Sequence, residues 1–368
     1  MNGAREKILV RGVNWLGDAV MTTPALQRLR EAKPGAHITL LTHEKLTDLW
    51  RNHPAIDAVI TFAKNESARQ IGRKLRAQKF DLGLALPNSH RSAIELWFAE
   101  IPQRIGYSRF GRNLFLTMAI QPRTSAVEMH KRSVAEIKQL VTGSNHVAPT
   151  DIPATAHHIF QYLHLVAALG AKAEPLAPKI EVTRDEMVSF QTRLQETAGE
   201  NPLWIGLNPG AEYGPAKRWP AERFVATALE IHKTTRCGWI IFGANEPVTR
   251  EIADAIEKKI GRKFVANFAG MTTLRELCAG LKCCRLVLTN DTGPMHVAAA
   301  LGTPVVVPFG STSIELTGPG LPGIPNPALL KAHVPCAPCF LRECPIDFRC
   351  MKSIEVETVV AACLNLIK

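Results

Sequence analysis

"LVLTNDTGPMHVAAALGTPVVVPFG", Leu286 to Gly310, carries the pattern that decides the fold. An apolar run stops at Asn290, and Asp291, Thr292 and Gly293 turn the chain. "PMHVAAALG" then reads as a helix, and "TPVVVPFG" is a second apolar run. Pro294 suits a first helical turn, where a missing N–H costs nothing, and Gly302 suits the helix end. The helix N-terminus then projects from the carboxyl edge of a sheet. Its free N–H groups and dipole make an anion site there, with Gly293 allowing close approach and His296 within reach. The same residues also fit a plain capped turn, in which Asp291 only bonds backbone N–H groups.

The alternation extends outward from this stretch. "PLWIGLNPG", "GWIIFG" and "RLVLTN" read as strands, and "RFVATALEIHK", "PVTREIADAIEKKI" and "LRELCAGLKCC" as helices. Nearer the N-terminus, "KILVRG", "HITLLT", "IDAVITF", "FDLGLALP" and "QRIGYS" are strand patterns. "AVMTTPALQRLREA" reads there as one amphipathic helix with an internal Pro24 within its first turns. Short apolar strands alternating with helices imply parallel sheets covered on both faces. The 368 residues suggest two domains at ~150 residues each. The turn-rich stretch from about Val141 to Pro178 is the expected connection. The expected fold is α/β, with two Rossmann-like doubly wound domains facing across a cleft. The expected boundaries are 1–175, 176–350 with a Cys-rich tail, and a C-terminal helix over 351–368.

Bulk properties narrow the function. Hydrophobic residues make up 46% and charged ones 21%, which fits a globular protein rather than a disordered one. The formal net charge of +11 favours an anionic partner: a nucleotide, a phosphorylated lipid surface or nucleic acid. No run reaches the ~18 apolar residues of a membrane span, and "MNGAREKILVRG" lacks a signal-peptide core. A cytoplasmic location is expected, where nine cysteines do not make a disulfide framework.

Three loops after predicted strands in the second domain suit a nucleotide diphosphate. The Asp291–His296 turn is one. "LNPGAEYGPAKRWP" gathers Gly210, Gly214, Lys217 and Arg218, where a cation can neutralise a phosphate, although a long solvated loop fits as well. "FGANEP" offers Glu246 to a ribose or, more simply, to the start of a helix. The first domain carries "RGVNWLGDAV", Arg11 to Val20, with the G-x-x-x-x-G spacing of a phosphate loop. Asp18 and Ala19 stand where that motif has Lys and Ser or Thr. A carboxylate there repels phosphate. It suits a general base for an attacking hydroxyl, or a cap for the following helix.

"NWLGDAVMTTPALQRLR", "LNPGAEYGPAKRWP" and "TNDTGPMHVAAALGTP" together resemble glycosyltransferase family 9, the lipopolysaccharide heptosyltransferases, over nearly the whole chain. "LPNSHRSA" and "RIGY" resemble the heptosyltransferase II branch. The resemblance implies the GT-B architecture and inverting transfer of L-glycero-D-manno-heptose from ADP-heptose to the inner core on lipid A. It implies Asp18 as the catalytic base, Lys217 at the donor phosphates, Glu246 near the ribose, and a backbone contact of Met271 with adenine. Asp291, Thr292, Gly293 and His296 match the donor-binding pattern. It also implies no cofactor for catalysis, no nucleic-acid partner, and peripheral contact with the cytoplasmic face of the inner membrane.

The tail "CAPCFLRECPIDFRCM" departs from the family pattern. Cys336, Cys339, Cys344 and Cys350 can supply four thiolates to a structural zinc, remain unligated, or form disulfides or another cluster. Other functions also fit parts of the sequence. One is a GT-B transferase using another nucleotide sugar or acceptor. A dinucleotide oxidoreductase is weakened because "GVNWLG" is not G-x-G-x-x-G. A noncatalytic nucleotide- or nucleic-acid-binding protein explains the basic charge but lacks stacking platforms and a recognisable motif.

Overall fold

The computed structural model describes residues 5–143, 152–324, 326 and 328–368. Residues 1–4 and part of the expected connection, 144–151, lie outside them. The chain divides into two units, 1–126 with 155–181 and 127–154 with 182–368.

The first unit contains β1 (Lys7–Arg11), α1 (Leu16–Met21), α2 (Thr23–Ala32), β2 (His37–His43), β3 (Ala58–Phe62) and α3 (Ala68–Arg76). It continues through β4 (Leu82–Ala85), α4 (His90–Phe98), β5 (Gln103–Tyr107) and β6 (Met118–Ile120). Helix α5 (Val134–Thr142) belongs to the second unit, and α6 (Ile159–Ala167) to the first. The six strands run parallel in the order β3-β2-β1-β4-β5-β6. Pro24 divides the stretch expected to form one helix. A proline has no N–H for the preceding turn, so α1 ends and α2 begins with Pro24 in its first turn.

The second unit runs through α7 (Arg184–Ala198), β7 (Trp204–Asn208), α8 (Ala221–Thr235), β8 (Gly238–Ile241), α9 (Pro247–Ile260), β9 (Val265–Asn267) and α10 (Leu274–Cys283). Then come β10 (Val287–Thr289), α11 (Gly293–Ala300), β11 (Val305–Phe309), α12 (Ile314–Thr317), β12 (Leu329–Lys331), α13 (Arg349–Lys352) and α14 (Val356–Ile367). Its order, β12-β11-β10-β7-β8-β9, repeats the first unit's topology, again fully parallel. Two such doubly wound α/β units in one chain are the architecture expected from the sequence. Trp239, Phe224, Ile231 and Ile241 fill the core beneath α8 and α9. The C-terminal α14 closes that core with Val359 and Cys363, both fully buried.

Each sheet reverses its winding direction between two central strands, β1/β4 and β7/β10. Loops leaving adjacent strands at such a point run to opposite faces and open a crevice at the carboxyl edge.

Outside the crevice, a bidentate ion pair joins α7 to α10. Arg275 donates from Nε to Glu186 Oε1 at 2.7 Å and from Nη2 to Oε2. Hydrogen bonds from the guanidinium hold the Glu186 carboxyl down at about 2. A depressed carboxyl contributes stability that is present above the ordinary glutamate value of about 4.3 and lost as pH falls toward 2. We expect Glu186→Gln to cost ~1.5–3 kcal/mol at neutral pH, the value of charge-assisted hydrogen bonds. The variant should lose less additional stability than the native chain between pH 5 and about 2. Chemical unfolding across that range checks both; parallel stability curves would assign the pair no net value.

Candidate functional site

In the second unit, buried asparagines fix the crevice. Asn208 Nδ2 donates to Thr289 Oγ1 at 3.0 Å, joining the ends of β7 and β10. Asn290 donates to the Pro209 carbonyl at 2.7 Å and accepts from the Trp219 backbone N–H at 3.0 Å. Its side chain therefore holds both ends of the loop that contains Lys217. Asn290 is fully buried, so its amide bonds inside the protein and not with water.

Lys217 Nζ donates to Asp291 Oδ2 at 2.6 Å, and Thr312 Oγ1 donates to the same oxygen at 2.5 Å. The Lys217 side chain is 14% exposed and that of Asp291 4%. The ammonium also lies 4.9 Å from the centre of the Tyr213 ring. Asp291 thus orients the lysine. Thr292 is the N-cap of α11 and makes no side-chain cap bond there. Gly293 begins the helix, and His296 lies buried in its first turn.

The next two strands bring in the remaining candidates. Glu246 is the N-cap residue of α9 and makes no side-chain cap bond. Its carboxylate pairs with Arg218 at 2.8 Å, linking the loops after β7 and β8. Gly270 donates to the Gly243 carbonyl at 2.8 Å, linking the loops after β8 and β9. Gly270 adopts φ +71°, and a Cβ there would lie 2.6 Å from that of Asn245. Met271 follows, 58% exposed. Its N–H is bonded to the Phe268 carbonyl and its carbonyl accepts from Arg193, leaving a carbonyl lone pair and an apolar side chain for a ligand.

Sequence reading missed Thr312, Tyr213 and the role of the Cys-rich segment in bracing this loop. The Arg342 carbonyl accepts from Ala216 N–H at 2.9 Å, and Tyr213 Oη donates to the Phe340 carbonyl at 2.8 Å. The Arg342 guanidinium sits 5.2 Å from the Tyr213 ring centre. The N–H groups of Cys339 and Phe340 both donate to the Ser311 carbonyl, beside Thr312. Cys336, Cys339, Cys344 and Cys350 line one small cavity with Ile137 and Ser311. All four are free thiols. Burial pushes Cys350 up to about 12 and raises Cys336 and Cys339. The donor type fits a metal, but among the described residues no three such groups are arranged to hold one.

In the first unit, Asp18 lies half-buried in the first turn of α1, whose N-cap residue is Trp15. Asp18 is thus inside the helix and not its N-cap residue. The preceding loop is built around a buried cation. Arg11 Nε pairs with Glu95 Oε2 at 2.8 Å, with side-chain exposures of 2% and 0%. Arg11 Nη1 also donates to the Gly12 carbonyl and to Asn14 Oδ1. Gly12 is closely packed: a Cβ would lie 3.2 Å from Leu40 Cδ1 and 3.3 Å from the Leu41 carbonyl. The loop therefore turns two oxygen atoms toward an internal guanidinium.

The sequence profile of glycosyltransferase family 9 (heptosyltransferase) matches residues 68–348, a range that holds the second-unit candidates and leaves out Asp18. The chain is 31% identical over 321 residues to lipooligosaccharide heptosyltransferase 2 of Haemophilus influenzae, covering 85% of each. It is 29% identical over 326 residues to lipopolysaccharide heptosyltransferase 2 of Escherichia coli, again covering 85% of each. The structure of Escherichia coli ADP-heptose lps heptosyltransferase II matches with a TM-score of 0.77 at 24% identity, covering 98% of both chains.

The Lys217–Asp291 pair yields a stability prediction. Lys217→Met strands a buried carboxylate and should cost about 3–5 kcal/mol. Adding Asp291→Asn should restore part of that loss, because neither charge then remains unpaired. Denaturant unfolding of both variants checks this; a double variant weaker than the single one would mean Asp291 is stabilised by groups other than Lys217.

Proposed function

Because the chain belongs to glycosyltransferase family 9, the heptosyltransferases, we propose that it moves L-glycero-D-manno-heptose from ADP-heptose to the inner core of lipopolysaccharide, with inversion. The observation that carries this reading is the oriented Lys217 ammonium at the β7/β10 crevice beside the start of α11. That combination suits the diphosphate of a nucleotide-sugar donor.

In the proposed reaction the acceptor oxygen attacks the anomeric carbon of heptose from the face opposite ADP. The new C–O bond forms as the bond to the ADP oxygen breaks, and ADP leaves with the electron pair. Asp18 takes the hydroxyl proton. Lys217 and the N–H groups at the start of α11 stabilise the negative charge on the departing diphosphate. Glu246 serves the ribose and Met271 the adenine, while Thr292, Gly293 and His296 line the donor side. Catalysis in this reading uses protein groups and no cofactor. The acceptor is lipid-linked, so the enzyme works from the cytoplasm in peripheral contact with the inner membrane. No described helix is long and apolar enough to cross a membrane.

The Cys-rich segment has a structural task in this reading, which is to hold the Tyr213–Lys217 loop. A zinc ion would require Cys336, Cys339, Cys344 and Cys350 to close on the cavity they line, and four thiolates would satisfy its coordination. Elemental analysis should then find about one zinc per chain, lost in Cys339→Ser with a drop in melting temperature. Folded, metal-free protein with titratable thiols would leave the segment as packing alone.

The decisive experiment separates donor binding from proton removal. ADP should bind more tightly than UDP or GDP by calorimetry; preference for UDP or GDP would replace the donor while keeping the fold. Asp18→Asn should keep ADP affinity and melting temperature while losing roughly 10²–10⁴-fold in single-turnover transfer. Near-normal transfer would move the base elsewhere.

A further inference from the structure

Loop 108–116 in the first unit is built to hold apolar side chains in water. Phe110 is 98% exposed and Leu114 82%. Nearby, Trp97 is 45% exposed and meets Phe115 edge-on at 5.7 Å, and Met118 is 47% exposed. Single exposed apolar residues are ordinary on a protein surface, but a cluster on a braced protrusion is not.

The bracing is extensive. Arg112 is fully buried, and its guanidinium donates to the carbonyls of Pro87, Ser89 and Tyr107. Gly106 makes room for it, since a Cβ there would lie 2.7 Å from Nη2. His90 Nε2 donates to the Phe110 carbonyl at 2.8 Å, and Gly111 takes φ +71°. Asn113 accepts from Arg109 N–H and donates to Ser108 Oγ, both at 2.9 Å. The loop therefore pays for rigidity with a buried arginine while leaving its two most exposed apolar groups, Phe110 and Leu114, in water.

Charge indicates what meets this surface. Residues 101–127 contain four arginines and no Asp or Glu; Arg109 is exposed and Arg104 and Arg123 are half-buried, while Arg112 is spent on the internal bracing. Among the described residues, none of these four arginines pairs with a carboxylate. Arg104 donates to the Phe115 carbonyl at the base of the loop, and Arg109 is exposed beside Phe110. Apolar groups projecting beside an exposed arginine that no carboxylate neutralises, on a segment without acidic residues, match the acyl boundary and headgroups of an anionic bilayer.

We propose that Phe110 and Leu114 form a wedge by which this chain docks on an anionic membrane surface. The wedge's location stands on the loop geometry; its purpose rests on the proposed lipid-linked acceptor. Docking inserts the two side chains at the acyl boundary while Arg109 remains among the headgroups.

The test is co-sedimentation of the full chain with phosphatidylcholine vesicles, with and without phosphatidylglycerol. The native chain should pellet with the anionic vesicles and less as salt rises. Phe110→Ser/Leu114→Ser should weaken that partition roughly tenfold or more, since two apolar side chains no longer leave water. Its melting temperature and ADP affinity should stay unchanged. Arg109→Gln should weaken binding less and reduce its salt dependence. A native chain that stays in the supernatant, or a double variant that pellets like it, overturns the wedge. So does a double variant whose main change is a lower oligomeric state, which would make the patch a contact between chains. Failure of the native chain to transfer heptose despite normal vesicle binding would instead overturn the proposed function and leave the wedge standing.

Discussion

A fully buried asparagine amide sets the geometry on which the second unit's site depends. Asn290 follows the last residue of β10, and its side chain bonds both ends of the long loop after β7. The sheet opens a crevice where its winding reverses, but an open crevice does not fix the loops beside it. Loops are usually the mobile part of such a fold. Here, satisfying one amide inside the protein leaves the loop little freedom, because breaking either bond exposes an unpaired polar group to a dry interior. The position of Lys217 follows from that requirement.

The Lys217–Asp291 pair shows how one site can hold a cation ready without binding it too firmly. With Asp291 alone, a buried carboxylate would lack its counter-ion; with Lys217 alone, a long side chain would sample many rotamers. Together they form an oriented and nearly neutral pair, fixed further by Thr312 and the Tyr213 ring. The first unit uses the same principle for a different end. The buried Arg11–Glu95 pair shapes the loop before Asp18 from within. Two oxygens of that loop, the Gly12 carbonyl and Asn14 Oδ1, are taken up by the internal guanidinium.

The Cys-rich segment belongs with the site physically, although it reads as an appendage in the sequence. Carbonyls of Phe340 and Arg342 accept hydrogen bonds from Tyr213 and Ala216, and two of its N–H groups bond Ser311 beside Thr312. A Cβ on Gly214 would lie 2.4 Å from the Arg342 carbonyl, so glycine is needed there for close backbone approach as well as for its positive φ. The segment touches both sides of the Lys217–Asp291 pair through backbone groups. Only the chain's path, and no side-chain motif, carries that information.

By itself the sequence determined the α/β class, most of the strands and the helices between them, because buried apolar runs and turn residues are local signals. It also marked the loops after β7, β8 and β10 as candidate site loops, since glycine, proline and polar residues gather at strand ends. It did not reveal β6, β9 or β12. These are edge strands of three residues each, too short and, in β6 and β12, too exposed to leave an apolar run. It likewise merged α1 with α2 across Pro24, because helical periodicity continues on both sides of the break. Tertiary structure alone decided that Lys217 meets Asp291, 74 residues away, and that Arg218 meets Glu246. Those meetings depend on which strands lie side by side. Strand order is fixed by packing over the whole sheet, and no local spacing in the chain encodes it.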